Sequence, residues 1–370
     1  MKLSINLLFL FLFVIRLSGQ TADSWPIFRG DRQLTGISRT ELPDKPELLW
    51  AFQTEDNIKA APVVEKGMVV IGSTDGIMYC LNKEGKIQWK FKTDNAIEAP
   101  ALIHNNTVYF GNLDGTLFAV DLATGEKKWD YDTDNQIIGS PNWWEKDGVT
   151  YIFAGSYDYY LHCVDAGTGE VKWKYESDNF INGAPACIDG KIYFGGCDGF
   201  LHVVDVETGE AEKKIDVANY VPGSPAVEKD KAYLGDYDGR FFQVDIIKET
   251  TTWEWKDEST TLPFIASPAI AGNRLLIANH NKFLYCFDKN SGKKLWEYNT
   301  GNRVEASPVV AGNKVVVANM RGDLALVSLS DGKVIWSYET GSQIVSNPAV
   351  AGGRIYVGGS DGNMYCFGKK

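Results

Sequence analysis

A serine flanked by glycines is the first feature of this sequence that could do chemistry. Residues 358–362 read Gly-Gly-Ser-Asp-Gly and match the G-x-S-x-G pattern of a serine nucleophile. That chemistry needs a strand-to-helix turn and a histidine base. The same place in the other copies of the repeat described below is a hairpin between two strands. We therefore interpret Ser360 as a turn residue.

Three alternating aspartates, Asp130, Asp132 and Asp134, have the spacing of the first ligands of a calcium loop. Such a loop needs a glycine at its sixth position and a glutamate at its twelfth, where this chain has Asn135 and Pro141. Alternate residues of a strand point to the same face. We therefore predict that the three carboxylates lie on the solvated face of a strand.

The histidines and cysteines give no metal or disulfide pattern. His162 and His202 occupy a repeat position that is aromatic in other copies, so we predict that they pack as rings rather than bind zinc, which needs four ligands. Four of the six cysteines share one repeat position, and such positions lie roughly 10 Å apart in packed sheets, beyond the ~7 Å that a disulfide spans. We predict six small, buried, unpaired thiols: Cys80, Cys163, Cys187, Cys197, Cys286 and Cys366.

The composition excludes one class of partner and indicates export. The formal net charge is -11, whereas proteins that bind nucleic acid non-specifically need a basic surface. Lys2 precedes the apolar run Ile5 to Ile15 and the small residues near Gly19. The run is too short for a transmembrane helix of about 20 residues. The sequence predicts a cleaved signal peptide, no transmembrane anchor, and a periplasmic or secreted protein.

A repeat of about forty residues fills the chain. A small residue or asparagine followed by proline recurs eight times at intervals of 38 to 44 residues, at Pro62, Pro100, Pro141, Pro185, Pro225, Pro268, Pro308 and Pro348. Each copy holds four short runs rich in β-branched and aromatic residues, separated by Gly, Asn and Asp turns, which indicate four antiparallel strands. Repeated four-stranded sheets bury their faces by packing in a ring. The sequence predicts an all-β, eight-bladed propeller.

A tryptophan position near the end of each copy should seal the contacts between blades. We assign it to Trp50, Trp89, Trp129, Trp173, Ile215, Trp255, Trp296 and Trp336. Trp50 precedes the first complete copy, and the last copy stops after its third strand, so an N-terminal strand should complete the eighth blade and remove an open edge. The predicted organisation is a signal peptide at 1–20, an irregular cover segment at 21–46 and the propeller at 47–370.

The stretch from Asp114 to Trp129 resembles the pyrroloquinoline-quinone (PQQ) propeller repeat with its tryptophan-docking motif. Residues 25–30, Trp-Pro-Ile-Phe-Arg-Gly, are similar to the opening segment of the same superfamily. One branch of it comprises quinoprotein dehydrogenases, which hold PQQ and Ca²⁺ with acid and amide groups. For that branch the resemblance implies Glu98, Asn182 and Glu305 as ligands. The dehydrogenases also have long insertions and adjacent cysteines, which this chain lacks.

The other branch is the family of the outer-membrane barrel-assembly factor BamB, an eight-bladed scaffold that is not an enzyme. Chain length and blade number favour this branch, although its lipid-attached cysteine is missing after Gly19. We predict an exported, non-catalytic scaffold without cofactor, which binds a protein partner of the envelope or outer membrane. The alternatives are a quinone-dependent oxidoreductase with PQQ and calcium, and a secreted ligand-binding or sensor propeller.

The linkers between blades are the predicted partner-binding surface. Four of them begin with an Asp-Asn pair, which either contacts the partner or shapes the turn. Three consecutive linkers carry an aromatic residue for which we find no equivalent in other copies, either an exposed contact or loop packing. The candidate residues are Phe180, Tyr220, Phe264, Asp56, Asn57, Asp94, Asn95, Asp134, Asn135, Asp178 and Asn179.

Overall fold

Short strands separated by Gly, Asn and Asp turns fold, as predicted, into eight four-stranded antiparallel sheets. The computed structural model describes residues 20–370, and residues 1–19, which hold nearly all of the predicted signal peptide, lie outside the described residues. Every regular element between residues 20 and 370 is a β-strand. The sheets follow one another around an axis, which confirms an all-β, eight-bladed propeller.

Within each blade the strands run in chain order from the axis outwards, and two further strands, β1 (Ile37–Ser38) and β2 (Glu47–Gln53), precede blade 1. The strands of blades 1 to 4 are β3 (Val63–Glu65), β4 (Met68–Gly72), β5 (Ile77–Asn82), β6 (Ile87–Lys92); β7 (Leu102–His104), β8 (Thr107–Gly111), β9 (Thr116–Asp121), β10 (Lys127–Asp132); β11 (Asn142–Lys146), β12 (Val149–Gly155), β13 (Tyr160–Asp165), β14 (Val171–Glu176); and β15 (Ala186–Ile188), β16 (Lys191–Gly195), β17 (Phe200–Asp205), β18 (Ala211–Asp216).

Blades 5 to 8 repeat the arrangement, except that the eighth has only three strands from the end of the chain. Their strands are β19 (Ala226–Glu228), β20 (Lys231–Gly235), β21 (Arg240–Asp245), β22 (Thr250–Lys256); β23 (Ala269–Ala271), β24 (Arg274–Ala278), β25 (Phe283–Asp288), β26 (Lys294–Asn299); β27 (Val309–Ala311), β28 (Lys314–Ala318), β29 (Asp323–Ser328), β30 (Val334–Glu339); and β31 (Ala349–Ala351), β32 (Arg354–Gly358), β33 (Asn363–Gly368).

The N-terminal strand closes the ring. Strand β2 pairs antiparallel with β33, and Trp50 lies opposite Cys366 in that pairing. The fourth strand of blade 8 therefore comes from the start of the propeller, as the sequence predicts. This arrangement ties the two ends of the ring together through backbone hydrogen bonds and covers the strand edge that would otherwise stay open.

The segment before β2 lies against the inner strands of all eight blades. Carbonyl groups of residues 25–36 accept N–H groups from blades 1, 2, 4, 5, 6 and 7, for example Val64 N–H to Trp25 at 2.8 Å. The carbonyl of Arg32 also accepts the Asn142 side chain of blade 3, and Ser38 Oγ donates to Val350 of blade 8. Its short strand β1, which sequence analysis did not predict, pairs in parallel with β27.

Indole rings join adjacent blades at their outer strands. Trp89 of blade 1 donates its Nε1–H to the Leu122 carbonyl of blade 2 at 2.8 Å. Its ring covers Gly125 so closely that an added Cβ there would lie 2.7 Å from the indole. The same contact, indole over glycine, joins five more pairs of blades: Trp50 with Gly85, Trp129 with Gly169, Trp173 with Gly209, Trp253 with Gly292, and Trp296 with Gly332.

Two predicted members of the tryptophan position are wrong. Strand pairing places Val203 opposite Lys213, and Gln243 opposite Trp253, in the register that joins Cys163 to Trp173. Lys213 and Trp253 therefore occupy the position, whereas Ile215 and Trp255 lie two residues further along their strands. Residue type did not identify the position, because blade 5 has two tryptophans two residues apart and β18 has none; the pairing register does identify it.

The cysteines are unpaired, as predicted for all six. Five thiols are buried, and burial raises the pKa of Cys187 to about 12. Cys197 is only partly buried, which corrects the prediction that all six lie in the core. It differs because it lies in the turn between the second and third strands of blade 4 rather than on a strand.

No helix between residues 20 and 370 has the length and hydropathy that a membrane span would require.

Candidate partner-binding face

One end of the propeller is formed by the linkers between blades and by the turns between the second and third strands. In each blade, the second residue after the end of the second strand donates its N–H to a carbonyl of the preceding linker. We call these eight contacts the rim pairs, with linker residue first: Asn57 and Thr74, Ala96 and Leu113, Gln136 and Tyr157, Phe180 and Cys197, Tyr220 and Tyr237, Pro263 and His280, Arg303 and Met320, and Gln343 and Ser360.

The Asp-Asn pairs lie at the start of the linkers and form turns. The Asn95 side-chain oxygen accepts the next backbone N–H at 2.8 Å, and Asn135 and Asn179 do the same at 2.9 Å. In the first linker Asp56 takes this role towards Asn57 at 2.8 Å. These contacts give the side chains of Asn95, Asn135, Asn179 and Asp56 a local structural function. Of the other three aspartates, Asp178 pairs with Lys214, and the Asp94 and Asp134 carboxylates make no ion pair among the described residues.

The channel at the axis is small and polar. Glu98, Asn182 and Glu305 all line a cavity of about 200 Å³, and Phe28 is another of its lining residues. Glu98 pairs with Lys59 at 2.7 Å. His280 Nε2 lies 3.5 Å from the Glu305 carboxylate, and this proximity, together with the charge of Arg303, holds the pKa of Glu305 below its usual value. The structure thus brings the predicted acid and amide groups together but neutralises both acids.

These residues do not fit PQQ with calcium. Calcium takes six to eight oxygen ligands, and both channel carboxylates are already engaged by cations. Phe28 is the single aromatic residue along the cavity wall, so one ring at most could stack on a planar quinone. The cavity is also below the 300 Å³ at which small-molecule sites usually begin. Among residues 20–370, no three His, Cys, Asp or Glu side chains form a metal-binding group.

The three predicted linker aromatics have different environments. Tyr220 is half exposed, with 51% of its surface accessible. Phe180 is partly buried. Phe264 is fully buried against Gly235, in the position that Ile137 and Ile181 take against the corresponding glycines of other blades. The prediction that Phe264 lacks an equivalent, and could be an exposed contact, is therefore wrong.

Exposed aromatic residues are concentrated on blades 3 to 5. The Tyr157 ring stacks on Phe180 with their centroids 4.6 Å apart, and Tyr159 lies 5.2 Å from the same ring. In blade 5 both members of the rim pair are tyrosines, and Tyr237 is 54% exposed. We call these five residues (Tyr157, Tyr159, Phe180, Tyr220 and Tyr237) the aromatic patch. Three patch residues, Tyr159, Tyr220 and Tyr237, are among the exposed large apolar residues, as is the neighbouring Leu262.

Sequence reasoning missed three of the five patch residues, Tyr157, Tyr159 and Tyr237. Tyr159 could have been found, because it replaces a glycine of the repeat. The turn between the second and third strands has glycine at its last position in six blades, with φ between 77° and 98°. Blade 3 has Tyr159 there, at φ 78°. A non-glycine residue pays about 1 kcal/mol or more for this left-handed conformation. An exposed tyrosine at this cost is not explained by packing of the core.

Beneath the patch lie two buried Tyr-His-Asp networks. In blade 3, His162 lies 3.0 Å from the Tyr131 hydroxyl and 2.9 Å from Asp158. His202 makes the equivalent contacts in blade 4, with Tyr175 and Asp198. Both imidazoles occupy the aromatic position, as predicted, and add hydrogen bonds to it. Burial opposes ionisation of Asp158, but the hydrogen bond and charge of His162 outweigh it and hold its pKa at about 2.

Replacing His162 with phenylalanine is expected to change the response to acid. Because the pKa of Asp158 is lower in the folded state than in the unfolded chain, its contribution to stability is present above about pH 4 and is lost towards pH 2. His162→Phe should lower the free energy of unfolding at pH 7 by about 1–2 kcal/mol and flatten the loss between pH 4 and 2. Urea unfolding at several pH values measures both effects. Tyr131→Phe keeps the His-Asp bond and should keep the same loss of unfolding free energy between pH 4 and 2. An equal loss in His162→Phe and in the unmodified protein would contradict the role of His162 in lowering the pKa of Asp158.

Comparison with known proteins identifies the repeat architecture. The profile of the family described as "Outer membrane protein assembly factor BamB" matches residues 43–146, 158–300 and 280–370. A search of curated protein sequences gives no match.

Solved structures share the fold at low sequence identity. BamB from Moraxella catarrhalis is 19% identical, has a TM-score of 0.74, and aligns over 88% of this chain and 98% of its own. A europium-containing methanol dehydrogenase is 13% identical, with a TM-score of 0.77 over 95% and 99% of the two chains. The quinohemoprotein alcohol dehydrogenase from Comamonas testosteroni is 15% identical, with a TM-score of 0.78 over 95% and 82%. These likenesses establish the propeller and do not separate scaffold from dehydrogenase.

Proposed function

Because this chain belongs to the family described as Outer membrane protein assembly factor BamB, we propose that it is a non-catalytic scaffold that binds a protein partner at the cell envelope. In this proposal the signal peptide directs it to the periplasm or the exterior. The partner binds on the face of the linkers, against the aromatic patch. Aromatic residues with a free face are favoured anchors in protein interfaces.

The observation that carries the proposal is Tyr159. The chain places an exposed tyrosine in a left-handed position where six other blades have glycine. Its ring packs on Phe180, the next member of the patch. Lys282 has the same φ in blade 6, so the feature that supports the proposal is an exposed aromatic ring held at a strained turn beside other exposed aromatic residues. The charge-neutralised channel, by contrast, offers no comparable support for the dehydrogenase alternative.

Replacing Tyr159 with glycine is expected to move stability and binding in opposite directions. The change relieves the left-handed strain and should raise the free energy of unfolding by about 1 kcal/mol. It also removes an anchor and should weaken partner capture several-fold. Partner capture is measured by placing a photo-crosslinking amino acid at Tyr237, irradiating living cells of the source organism, and identifying the crosslinked protein by mass spectrometry.

Lys282→Gly is the matched control. Lys282 occupies the same turn position in blade 6, also at φ 78°, and lies outside the patch. It should give the same gain in stability with unchanged crosslinking. A crosslinker at Gln343, on the opposite side of the ring, reports background. The proposal fails if Tyr237 yields no discrete protein, if Gln343 yields the same one, or if Tyr159→Gly leaves the yield unchanged.

A further inference from the structure

Charge is distributed unevenly around the face of the linkers. In blades 3 to 5, the linkers and the turns between second and third strands contain six carboxylates and no Lys, Arg or His: Asp134, Asp158, Asp178, Asp198, Asp236 and Asp238. The corresponding segments of blades 6 and 7 are mixed in charge and contain Lys282, Arg303, Arg321 and His280 together with Asp257, Glu258 and Glu305. The segments that surround the aromatic patch therefore hold carboxylates without cations, whereas those of blades 6 and 7 hold both.

Several carboxylates beside the patch have no cationic partner. Asp158 and Asp198 are engaged by histidines, Asp236 by Arg240, and Asp178 by Lys214. Asp134 and Asp238, by contrast, make no ion pair among residues 20–370, and neither does Asp216 at the end of β18. Asp238 directly follows Tyr237, and Asp216 precedes Tyr220 by four residues. Uncompensated charge thus flanks the two most exposed tyrosines of the patch.

We propose that the aromatic patch binds an extended, arginine-rich segment of the partner protein. This inference rests on the proposed function and adds the chemistry of the ligand. A guanidinium group stacks on a tyrosine face and donates hydrogen bonds to a carboxylate in a fixed fork, which an ammonium group does not do. Tyr220 and Tyr237 supply adjacent faces, held together by the Tyr237 N–H to Tyr220 carbonyl bond of 3.0 Å. Asp216 and Asp238 supply the acceptors.

Two labelled peptides test the proposal on the full-length protein. One peptide contains three arginines with glycine, serine and leucine residues between them. The other peptide has the same sequence with lysine in place of each arginine. The arginine peptide should bind at least fivefold more tightly in fluorescence anisotropy at 150 mM salt. Tyr220→Ala with Tyr237→Ala should abolish this preference, and Asp238→Asn should weaken both peptides. Thermal unfolding verifies that the variants keep the fold.

Asp94→Asn is the matched control for charge. Asp94 is an exposed linker acid that makes no ion pair within the part of the chain that the structure describes, but it lies between blades 1 and 2, away from the patch. Equal affinity for the two peptides, no binding of either, or an equal effect of Asp94→Asn and Asp238→Asn would overturn the arginine proposal. Crosslinking at Tyr237 is independent of these peptides. A protein captured there without arginine-peptide binding would leave the scaffold function intact and refute only the ligand chemistry.

Discussion

Trp89→Ala is expected to lower the free energy of unfolding by about 3–5 kcal/mol, the usual cost of removing a large aromatic residue from a packed site. The substitution removes an indole that is 7% exposed, together with its hydrogen bond to the Leu122 carbonyl. It opens the contact between blades 1 and 2 on the outside of the ring. Denaturation in guanidinium chloride, followed by tryptophan fluorescence and far-UV circular dichroism, measures the loss.

The glycine beneath the indole provides the other half of the test. Gly125→Ala adds a Cβ at 2.7 Å from the Trp89 ring and forces alanine into φ +74°. Gly67→Ala adds the same strain, at φ +75°, with no atom within 4 Å of the new Cβ. The difference in unfolding free energy between the two variants therefore isolates the steric overlap with the indole. This overlap should cost about 1–3 kcal/mol. Equal losses in both variants would show that indole contact does not stabilise the ring.

The architecture could be predicted because each blade repeats the same local signals. Eight prolines and the Gly, Asn and Asp turns set the number of strands, and Trp50 with the incomplete last copy predicted the closure that β2 and β33 form. Short runs of β-branched and aromatic residues between these turns are sufficient to define the strands, most of which are buried along nearly their whole length. The eight-bladed ring required no information from tertiary contacts.

The surface could be predicted only in part, because it depends on register and on loop length. The linker between β22 and β23 has twelve residues, against nine between β18 and β19. Phe264 therefore lies further from the preceding outer strand than the isoleucines that share its buried position, although it lies four residues before Pro268, as Ile137 lies four before Pro141. Tyr159 and Tyr237 lie in turns whose sequences resemble ordinary hairpin turns. Tyr159 approaches Phe180, and Tyr237 approaches Tyr220, only because the folded ring places these turns against the linkers.

The contact between blades 4 and 5 replaces indole and glycine with an ion pair. Lys213 occupies the tryptophan position, and Glu249 takes the place of the glycine, at φ 57°. The Lys213 Nζ lies 2.6 Å from the Glu249 carboxylate. Both residues depart from the repeat together. The Glu249 side chain occupies the space that an indole would need, and Lys213 reaches across to neutralise the Glu249 carboxylate. This partly exposed pair contributes at most about 1 kcal/mol.

Restoring tryptophan and glycine at this contact is expected to stabilise the protein only when both changes are made. Lys213→Trp alone forces an indole against the Glu249 side chain and should lower the free energy of unfolding by about 1–3 kcal/mol. Glu249→Gly alone relieves left-handed strain but loses the ion pair, so its effect should be close to zero. The double variant should gain about 2 kcal/mol from apolar surface removed from water. Unfolding in guanidinium chloride measures all four proteins of the cycle.

The coupling between the two changes is the quantity that decides between two explanations of this contact. If the residues form an alternative to the indole contact, the coupling free energy should be about 3–5 kcal/mol in favour of the double variant, which is its expected gain less the expected loss in Lys213→Trp. Additive effects would mean that Lys213 and Glu249 vary independently and that the blades meet there without a seal. Because the ion pair is screened by salt and the indole contact is not, the gain of the double variant should also increase between 0.05 and 0.5 M sodium chloride in thermal unfolding. A positive coupling with this salt dependence would show that tryptophan over glycine joins six pairs of adjacent blades. An ion pair would then take its place between blades 4 and 5, within the part of the ring that carries the aromatic patch.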